Sequence, residues 1–572
     1  MKRMFLTLGF VVAVAGLTAA VAYQPQPEPA DLVLTNGKIV TVEAASPQAQ
    51  AIAVRGDRIV AIGSTAALKP RTGPSTRVID LQGKLVVPGF IEGHGHFTGV
   101  GEAQLNLNLM KVTSWDDVIA MVAEAVKTAK PGQWIRGRGW HQEKWTKKPE
   151  PSVEGFPTHH GLSAVSPDNP VYLTHASGHA SFANAKAMEL SKITRDTPSP
   201  EGGDILKDAK GEPIGVFRET ASRLIRTGTG EPRRTPEEEA ARARKVLELA
   251  AQEALSKGIT SFQDAGSSLA TVDLMKQMVD EGKMGVRLWV MLRQPNQTLA
   301  PNLAKYRMID HGDGHLTVRA IKHSIDGALG SRGAWLLAPY SDKPDSTGLN
   351  TTPPQTIRET AKLAIEHGYQ LCVHAIGDRA NRETRDIFDE AFKANPGKKD
   401  LRWRVEHAQH LDPADIPRFG KLGVIASMQG VHCTSDAPYV RARLGDARAE
   451  EGAYVWQKLM QSGAVVTNGT DAPVEDVDPI ASYHSTVSRA LTDGSVFYPA
   501  QRMSRADALK SYTLNGAYAA FEENSKGSLK VGKYADMIVL SQDITTVPEN
   551  EILRTQVLYT IVGGRIRYER GK

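Results

Sequence analysis

Several common features are scarce or absent in this sequence of 572 residues, and each absence excludes a class of protein. The two cysteines, Cys372 and Cys433, are too few for a disulfide framework and form no CxxC pair, which argues against a zinc knuckle or a dithiol redox site. No GxSxG, GxGxxG or GxxxxGK(S/T) motif occurs, so neither a serine hydrolase nor a nucleotide-binding protein is indicated. With 69 basic and 64 acidic residues, the net charge of +5 gives no reason to expect a nucleic-acid partner.

The one long apolar run lies at the amino terminus. Lys2 and Arg3 precede apolar residues 4–22, which end in the small-residue triplet AVA. This arrangement is typical of a secretory signal peptide over residues 1–22, cleaved after Ala22. The sequence therefore predicts a periplasmic or secreted protein with no stable membrane insertion after cleavage, and an uncleaved anchor is the alternative. Export would permit the two cysteines to pair, although two buried free thiols are the simpler interpretation.

Both ends of the predicted mature chain have the pattern of short strands joined by tight turns. Near the amino end, Asn36-Gly37 and Gly56-Asp57 each separate two apolar runs, and Gly563-Gly564 does so near the carboxyl end. Such spacing predicts three β-hairpins. Two β-rich ends around a long α/β middle predict one small composite β-sandwich domain, formed by residues 31–85 and 525–572.

The middle of the chain, residues 86–524, alternates short apolar runs with helical stretches, the pattern of parallel strands joined by helices. Eight candidate strands occur, at 85–97, 258–266, 286–292, 318–327, 369–378, 403–411, 423–429 and 464–473. Eight such units predict an α/β fold, the (β/α)8 TIM barrel, with its active site at the carboxyl ends of the strands. Strands one and two are separated by about residues 100–257, which predicts a large insertion that roofs the barrel mouth.

Metal-binding residue types fall at the predicted ends of several strands. His94 and His96 lie two residues apart near the end of strand one, so their side chains point to the same side. Strands four, five, six and eight carry the other candidates, which are Lys322, His374, His407 and Asp471. Residues at the same end of neighbouring barrel strands converge, so these side chains are predicted to form one site. His432 and Asp264 also lie near strand ends, with weaker support.

These residue types have a common chemistry. Neutral imidazoles and a carboxylate are ligands that zinc and similar divalent metals prefer, and such an ion lowers the pKa of a bound water toward about 7. Asp471 could accept that proton and return it to a leaving group. A buried Lys322 is costly unless it is modified, paired or placed beside a ligand, and an ion pair with Asp326 is the simple alternative. The pattern predicts a metal-dependent hydrolase of a small molecule, with a divalent metal ion for which zinc is the first candidate.

Longer motifs run along nearly the whole predicted mature chain. They include VVPGFIEGHGHF, SGHASFAN, IDGALGSRGA, HAIGDRAN, RVEHAQHL and TDAPVEDVDP. In these motifs the chain resembles the amidohydrolase superfamily, and within it the amidohydrolase-3 or YtcJ-like branch, over about residues 31–570. The resemblance implies a TIM barrel with a composite sandwich, and hydrolysis of amide or related carbon–nitrogen bonds. N-substituted formamide deformylases belong to this branch.

The resemblance also implies roles for individual residues. Lys322 matches the lysine that is carboxylated and bridges two metal ions in binuclear members. His179, in the SGHA segment of the insertion, matches a position that reaches the substrate. The implied metal ligands are His94, His96 and Asp471 for the more buried ion, and His374 and His407 for a second ion. Departures from the family pattern occur at Glu92, Gly430 and Thr470, and none removes a ligand.

The sequence thus predicts hydrolysis of a non-peptide amide, of the N-acyl or N-formyl type, by metal-activated hydroxide with Asp471 as proton shuttle. Deamination, or hydrolysis of an ester or lactone, is the alternative on the same scaffold. A deaminase would be expected to have a glutamate shortly after His374, where this chain has Asp378. A non-catalytic periplasmic binding protein would be favoured by missing ligands, and none is missing. The sequence does not identify the substrate, and it leaves a homodimer open.

Overall fold

Eight parallel strands, with the short antiparallel strand Met308–Asp310 beside the fourth, form the central sheet of the computed structural model, which describes residues 27–572. In chain order they are β1 (Phe90–Gly95), β2 (Ile259–Ser267), β3 (Arg287–Leu292), β4 (Leu316–Ser324), β5 (Gln370–Ala375), β6 (Arg404–His407), β7 (Ile425–Gln429) and β8 (Val466–Gly469). Each strand pairs in parallel with the next. Just past β8, the backbone N–H of Asp471 donates to the carbonyl of His94 in β1 at 2.8 Å. The sheet is therefore a nearly closed TIM barrel, and the predicted fold class is confirmed.

Helices join the barrel strands and cover the outside of the barrel, and three further helices, Trp115–Val126, His160–Val165 and Ala185–Leu190, belong to the insertion. The longest, Pro236–Ser256, begins with the capping box that its sequence predicts, because the side chains of Thr235 and Glu238 each accept the other's backbone N–H. Other long helices are Trp115–Val126, Leu269–Asp280, Pro354–His367, Asp378–Ala394, Gly430–Leu444 and Pro479–Ser488. Shorter ones include Phe97–Ala103, His160–Val165, Ala185–Leu190, Ile416–Leu422, Asp446–Gly452, Trp456–Gln461, Arg505–Ser511 and Leu514–Ala519.

The first predicted strand, 85–97, is two strands in the structure. Leu85–Pro88 belongs to the sandwich, whereas β1 begins at Phe90. Gly89 lies between them, and a Cβ at this position would collide with the side chain of Thr260. Only glycine lets the chain pass so close to β2 at this point. The sandwich therefore reaches Pro88, beyond the predicted boundary at residue 85.

Two sheets form the composite β-sandwich. One contains, in spatial order, Arg58–Gly63, Ala51–Arg55, Leu32–Thr35 and Arg77–Asp80. The other contains Arg565–Glu569, Val557–Val562, Met537–Leu540, Leu85–Pro88, Lys38–Val40 and Gln48–Ala49. Antiparallel pairing of Met537–Leu540 with Leu85–Pro88 joins strands from the two ends of the chain.

Two of the three predicted hairpins are present and one prediction is wrong. Antiparallel pairs flank both Gly56-Asp57 and Gly563-Gly564. The strands on either side of Asn36-Gly37 instead belong to different sheets. The reason is that Leu32–Thr35 has both edges occupied by other strands of its own sheet, so the turn carries the chain across the sandwich.

The segment between β1 and β2 contains a separate sheet beside the barrel mouth. Its strands, in spatial order, are Gly203–Lys207, Pro213–Glu219, Ala180–Ala183, Val171–His175, Ile135–Trp140 and Leu107–Asn108. Aromatic side chains fill its own core, among them Trp115, Trp140, Phe156 and Phe182. Because this core is independent of the barrel, the sheet can present side chains to the mouth from a firm support.

Three further predictions concern the environment of the chain. Cys372 and Cys433 are both buried and free, in agreement with the simpler interpretation. The predicted signal peptide, residues 1–22, lies outside the described residues. Within residues 27–572, no helix combines the length and apolar character needed to cross a bilayer.

Candidate metal centre and active site

The histidine pair of β1 lies at the carboxyl end of the barrel. The rings of His94 and His96 are perpendicular, with centroids 5.8 Å apart, so both point into the same space. Burial lowers the pKa of His94 well below its ordinary value, and the charge of Lys322 adds to that lowering. His94 is therefore a neutral imidazole, the form that binds a metal ion.

His374 and His407 extend this group across β5 and β6. The centroid of the His407 ring lies 4.7 Å from that of His94 and 4.5 Å from that of His374. Burial lowers the pKa of His407 to about 4 and the pKa of His374 well below its usual value. The structure thus brings four predicted ligands into one cluster. His94, His374 and His407 are buried and neutral, whereas the His96 side chain is partly exposed.

A left-handed backbone turns His407 toward the mouth. On a regular strand, Glu406 and His407 would point to opposite faces of the sheet. His407 has a φ of 75° and Ala408 a φ of 45°, values that residues other than glycine adopt rarely. This turn at the end of β6 allows Glu406 and His407 to serve the same site, and strain of this kind is typical of functional positions.

Asp471 lies beside these histidines, in the loop after β8. Its Oδ1 is 3.2 Å from Nε2 of His96 and 3.6 Å from Nε2 of His94, and its Oδ2 is 3.9 Å from Nδ1 of His407. Burial works to raise the pKa of Asp471, but the imidazole of His96, 3.2 Å away, and the neighbouring histidines hold that pKa well below its usual range. Asp471 is therefore ionised, and a φ of 57° aims it at the cluster.

Lys322 is buried in β4, with its Nζ 3.4 Å from Nε2 of His94. Burial lowers the pKa of Lys322 to about 8. The alternative partner, Asp326, accepts backbone N–H groups of Ile376 and Gly377 at 3.0 and 2.8 Å instead. Among residues 27–572, no carboxylate lies within 4.0 Å of Lys322 Nζ, so the ion pair with Asp326 is not formed.

Glu406 is a site residue that the sequence analysis missed. Its carboxylate accepts the N–H of His94 Nδ1, which leaves Nε2 of that ring free to bind a metal ion. Arg404 holds Glu406 in turn, with Nε 2.7 Å from Oε1. The motif RVEH contains Arg404, Glu406 and His407, but strand alternation alone would point Glu406 away from His407.

His179 reaches the site from the insertion, in the loop between Val171–His175 and Ala180–Ala183. Its ring centroid lies 4.9 Å from that of His374, and its Nδ1 is 2.7 Å from Oε2 of Glu219. Burial works to lower the pKa of His179, but the Glu219 carboxylate outweighs it and raises that pKa. Glu219, a second residue that the sequence analysis missed, therefore keeps His179 protonated more readily than an isolated imidazole.

A cavity of about 460 Å³ opens onto this cluster. Both the barrel and the insertion line it, through residues that include Arg138, Tyr172, His179, Arg293, Lys322 and Asp471. The predicted roof over the mouth is therefore a wall shared by two parts of the chain. Its volume suits a small-molecule substrate.

Comparison with known proteins agrees with this geometry. The family model described as "Amidohydrolase family" matches residues 77–568. The chain belongs to the amidohydrolase family. It is 33% identical to the protein LONG AFTER FAR-RED 3 of Arabidopsis thaliana, covering 98% of each chain. It is also 29% identical to the putative amidohydrolase YtcJ of Bacillus subtilis (strain 168), covering 93% of this chain and 98% of that one.

A third relative has a named activity. This is the N-substituted formamide deformylase of Arthrobacter pascens, 27% identical to this amidohydrolase over 94% of this chain and 98% of the other. The structure is similar to that of an uncharacterised metal-dependent hydrolase of Pyrococcus horikoshii OT3, with a TM-score of 0.71 and 24% identity over 91% of this chain and 99% of that one. The predicted YtcJ-like branch is confirmed by the relatives, and the solved structure supports the fold.

The clustered residues of this amidohydrolase fit a metal ion. One donor atom each from His94, His96 and Asp471 lie within 4.8 Å of one another. Within the described part of the chain, Nε2 of His374 and Oδ1 of Asp471 are buried and have no hydrogen-bond partner. Buried polar atoms without partners are costly, and a cation held with His94 and His96 would satisfy Oδ1 of Asp471. Nε2 of His374 instead lies 3.4 Å from Oδ1 of Asp326.

The two weaker candidates have different outcomes. His432 lies at the site, since one donor atom each from His407, His432 and Asp471 also lie within 4.8 Å of one another. Asp264 accepts the backbone N–H of Phe97 at 2.9 Å and the hydroxyl of Ser267 at 2.6 Å. It therefore fixes the start of the helix after β1.

Two of the departures from the family pattern contact each other. The Glu92 carboxylate accepts the backbone N–H of Thr470 at 2.6 Å and its hydroxyl at 3.0 Å. This pair ties β1 to the residue just before Asp471. Gly430 donates its backbone N–H to Asn468 at 2.6 Å, a bond that proline could not make. All three departures thus support the backbone around the cluster.

Proposed function

We propose that this amidohydrolase hydrolyses a non-peptide amide, of the N-acyl or N-formyl type, with one or two bound zinc ions. The observation that carries the proposal is the buried Oδ1 of Asp471, which has no hydrogen-bond partner among the described residues and lies within 3.6 Å of both His94 and His96. The formamide deformylase among the relatives supports a carbon–nitrogen bond as the target.

The chain's own residues supply positioning and proton transfer. When bound, the metal ion activates a water molecule and polarises the substrate carbonyl. With Oδ1 of Asp471 as the ligand atom, Oδ2 would accept the water proton and return it to the departing amine. Glu406 keeps the proton of His94 on Nδ1, so that Nε2 serves as a ligand throughout.

His179 is assigned to the substrate carbonyl oxygen. Glu219 holds its Nδ1, so Nε2 is the nitrogen that remains for a ligand in the cavity. A protonated imidazole at this position would stabilise negative charge as it develops on that oxygen. The insertion thus supplies a group to the reaction that the barrel strands lack.

Lys322 is assigned to a carboxylated bridge between two ions. A buried ammonium with no carboxylate within 4.0 Å is costly. The neutral amine at Nζ could instead add carbon dioxide and release a proton, and the resulting carbamate would provide two oxygen ligands beside His94. One deaminase feature is also missing from the site. Asp378, which stands where a deaminase would have its glutamate, accepts the backbone N–H of Leu337 at 2.8 Å and does not line the cavity.

The test is the metal content of protein purified without chelator. We expect about two zinc ions per chain in the wild type and one or none in Lys322→Ala, together with hydrolysis of N-formyl and N-acetyl amines by the wild type. Lys526→Ala is a matched control, because Lys526 is also buried but is paired with Glu522 at 2.7 Å, remote from the cluster. This control should keep both metal ions.

Other outcomes separate the alternatives. About one ion per chain in both the wild type and Lys322→Ala would make Lys322 structural and the mechanism mononuclear. No metal and no hydrolysis after reconstitution with zinc would contradict the proposal and leave a binding protein with this fold. Ammonia release from an aminated ring, without amide hydrolysis, would favour the deaminase.

A further inference from the structure

The cavity wall carries more positive charge than the proposed reaction uses. Its lining includes three arginines and the carboxylate of Glu102. Arg136 is neutralised by Glu231, with contacts of 3.2 and 2.8 Å, and Glu102 is neutralised by Arg242, with contacts of 2.8 and 2.7 Å. Two guanidinium groups remain, those of Arg138 and Arg293.

Arg138 belongs to the insertion strand Ile135–Trp140 and is half-buried. Its Nε donates to the carbonyl of Pro473 at 3.0 Å, and its Nη2 donates to the carbonyl of Ala176 at 3.0 Å. These neutral acceptors fix the orientation of the side chain and leave its charge uncompensated. Nη1 makes no such bond, and Arg138 lines the cavity.

Arg293 follows β3 on the opposite, barrel side of the wall. Its stem packs on Gly266, whose φ of 136° and lack of a side chain make that approach feasible. Its guanidinium is open to the cavity and donates to the hydroxyl of Ser324 at 3.1 Å. Within residues 27–572, no carboxylate lies within ion-pair distance, 4.0 Å, of either Arg138 or Arg293.

Both charges lie near the cluster. Arg138 donates to the carbonyl of Pro473, two residues after Asp471, and Arg293 donates to the hydroxyl of Ser324, two residues after Lys322. Asp471 and Lys322 line the same cavity as the two arginines. A group bound by the two arginines would sit in the same cavity as an amide bond at the cluster.

We propose that the substrate carries a carboxylate, which Arg138 and Arg293 bind while the amide bond lies at the metal ligands. This inference rests on the proposed hydrolysis for its amide and deepens it by naming the substrate class. Guanidinium is the side chain best suited to a carboxylate, because its planar donors match the two oxygens. A neutral amide would leave both charges without partners in a half-enclosed cavity.

The experiment measures binding and hydrolysis separately, on the zinc-loaded enzyme. The probes are a panel of N-acetyl amino acids, of both configurations and with uncharged side chains, and the corresponding N-acetyl amino acid amides, which differ only in lacking the carboxylate. Titration calorimetry gives the affinity for each pair. We expect the wild type to bind the better acids at least about tenfold more tightly than their amides, since a charge-assisted pair is worth that much.

Variants assign the preference to the two arginines. Arg293→Gln and Arg138→Gln should each reduce the ratio of acid to amide affinity about tenfold. Arg293→Lys and Arg138→Lys should keep part of the wild-type preference for the acid, because lysine retains the positive charge. Arg136→Gln is the matched control, because Arg136 lines the same cavity but is already paired with Glu231, and its ratio should stay that of the wild type. Zinc content and thermal unfolding confirm that each variant is folded.

The outcomes keep this inference apart from the proposed function. The carboxylate site would be overturned if no acid bound, or if every acid bound only as tightly as its amide. Tighter binding of inorganic phosphate than of any acid would also overturn it. If the acids bind more tightly than their amides but the N-acetyl bond is hydrolysed in neither, the inference stands and the proposed hydrolysis fails. If neutral amides are hydrolysed as fast as acids and bind equally, the hydrolysis stands and the inference fails.

Discussion

At the scale of single residues, carboxylates decide how the histidines of the cluster are oriented. Glu406 holds His94 by Nδ1, and Glu219 holds His179 by Nδ1. In each case the other ring nitrogen is directed to the site. A histidine contributes to metal binding or proton donation only when such a partner fixes its tautomer and orientation.

The first prediction is that Glu406→Gln weakens zinc binding about tenfold or more, because the neutral amide makes His94 a poorer donor to the metal ion. Zinc affinity, measured by chelator competition, is the readout. Glu102→Gln provides the control, since Glu102 lines the cavity and pairs with Arg242 but holds no histidine. The same zinc affinity in Glu406→Gln and wild type would refute the orienting role.

At the scale of elements, the insertion and the barrel fit together at one loop. Glu219, the last residue of the insertion strand Pro213–Glu219, lies against the barrel loop 325–334, which has the sequence IDGALGSRGA. A Cβ at Gly327 or at Gly333 would collide with the Glu219 carboxylate. These two glycines therefore make room for the carboxylate that holds His179, which gives the glycines of this motif a role at the site.

Gly327→Ala should therefore lower the melting temperature by displacing Glu219, at a cost of about 1–3 kcal/mol for overpacking. The same substitution made in Glu219→Ala should cost much less, because the colliding carboxylate is gone. Melting temperatures of the two single variants and the double variant test this. Gly397→Ala is the control, since a Cβ there meets nothing within 4 Å. Additive effects would contradict the proposed fit.

At the scale of the whole molecule, a buried ion pair joins the barrel to the sandwich. Arg287, at the start of β3, has Nε 2.7 Å and Nη2 3.2 Å from the carboxylate of Asp536 in the segment before strand Met537–Leu540. Both side chains are buried, and Arg287 also stacks on Tyr534. The pair fixes the sandwich against the end of the barrel opposite to the cluster.

Asp536→Ala should cost about 3–5 kcal/mol of stability, because it leaves a buried arginine unpaired. For a chain of this size, with an unfolding entropy of about 2.1 cal/mol/K per residue, the melting temperature should fall by about 3–4 °C. Asp345→Ala is the control, since Asp345 pairs with Lys343 at the surface and should cost little. A loss no larger than that of the control would show that the pair contributes nothing.

The same pair gives this stability loss a pH dependence. Burial works to raise the pKa of Asp536, but Arg287 outweighs it and lowers that pKa. The contribution is therefore present above the unfolded pKa of about 3.9 and is lost as the pH falls through the lower folded value. The difference in melting temperature between wild type and Asp536→Ala should accordingly be full at neutral pH and shrink in acid.

The sequence by itself determined the barrel, its order of strands and the residues that approach one another at the mouth. Hydrophobic periodicity and capping residues such as Thr235 act locally, so they are legible in the chain. His94, His374, His407 and Asp471 could be grouped because parallel strands of a barrel end on the same side.

Only the tertiary structure decided which neighbours serve those residues. Glu406 faces the cluster because the backbone at His407 is left-handed, and strand alternation would have sent it elsewhere. Asn36-Gly37 crosses between sheets because other strands occupy both edges of Leu32–Thr35. Arg138 and Arg293 line the cavity, and Glu219 holds His179 there, through contacts between segments far apart in the chain. Such contacts depend on packing in space, which no local pattern of residues encodes.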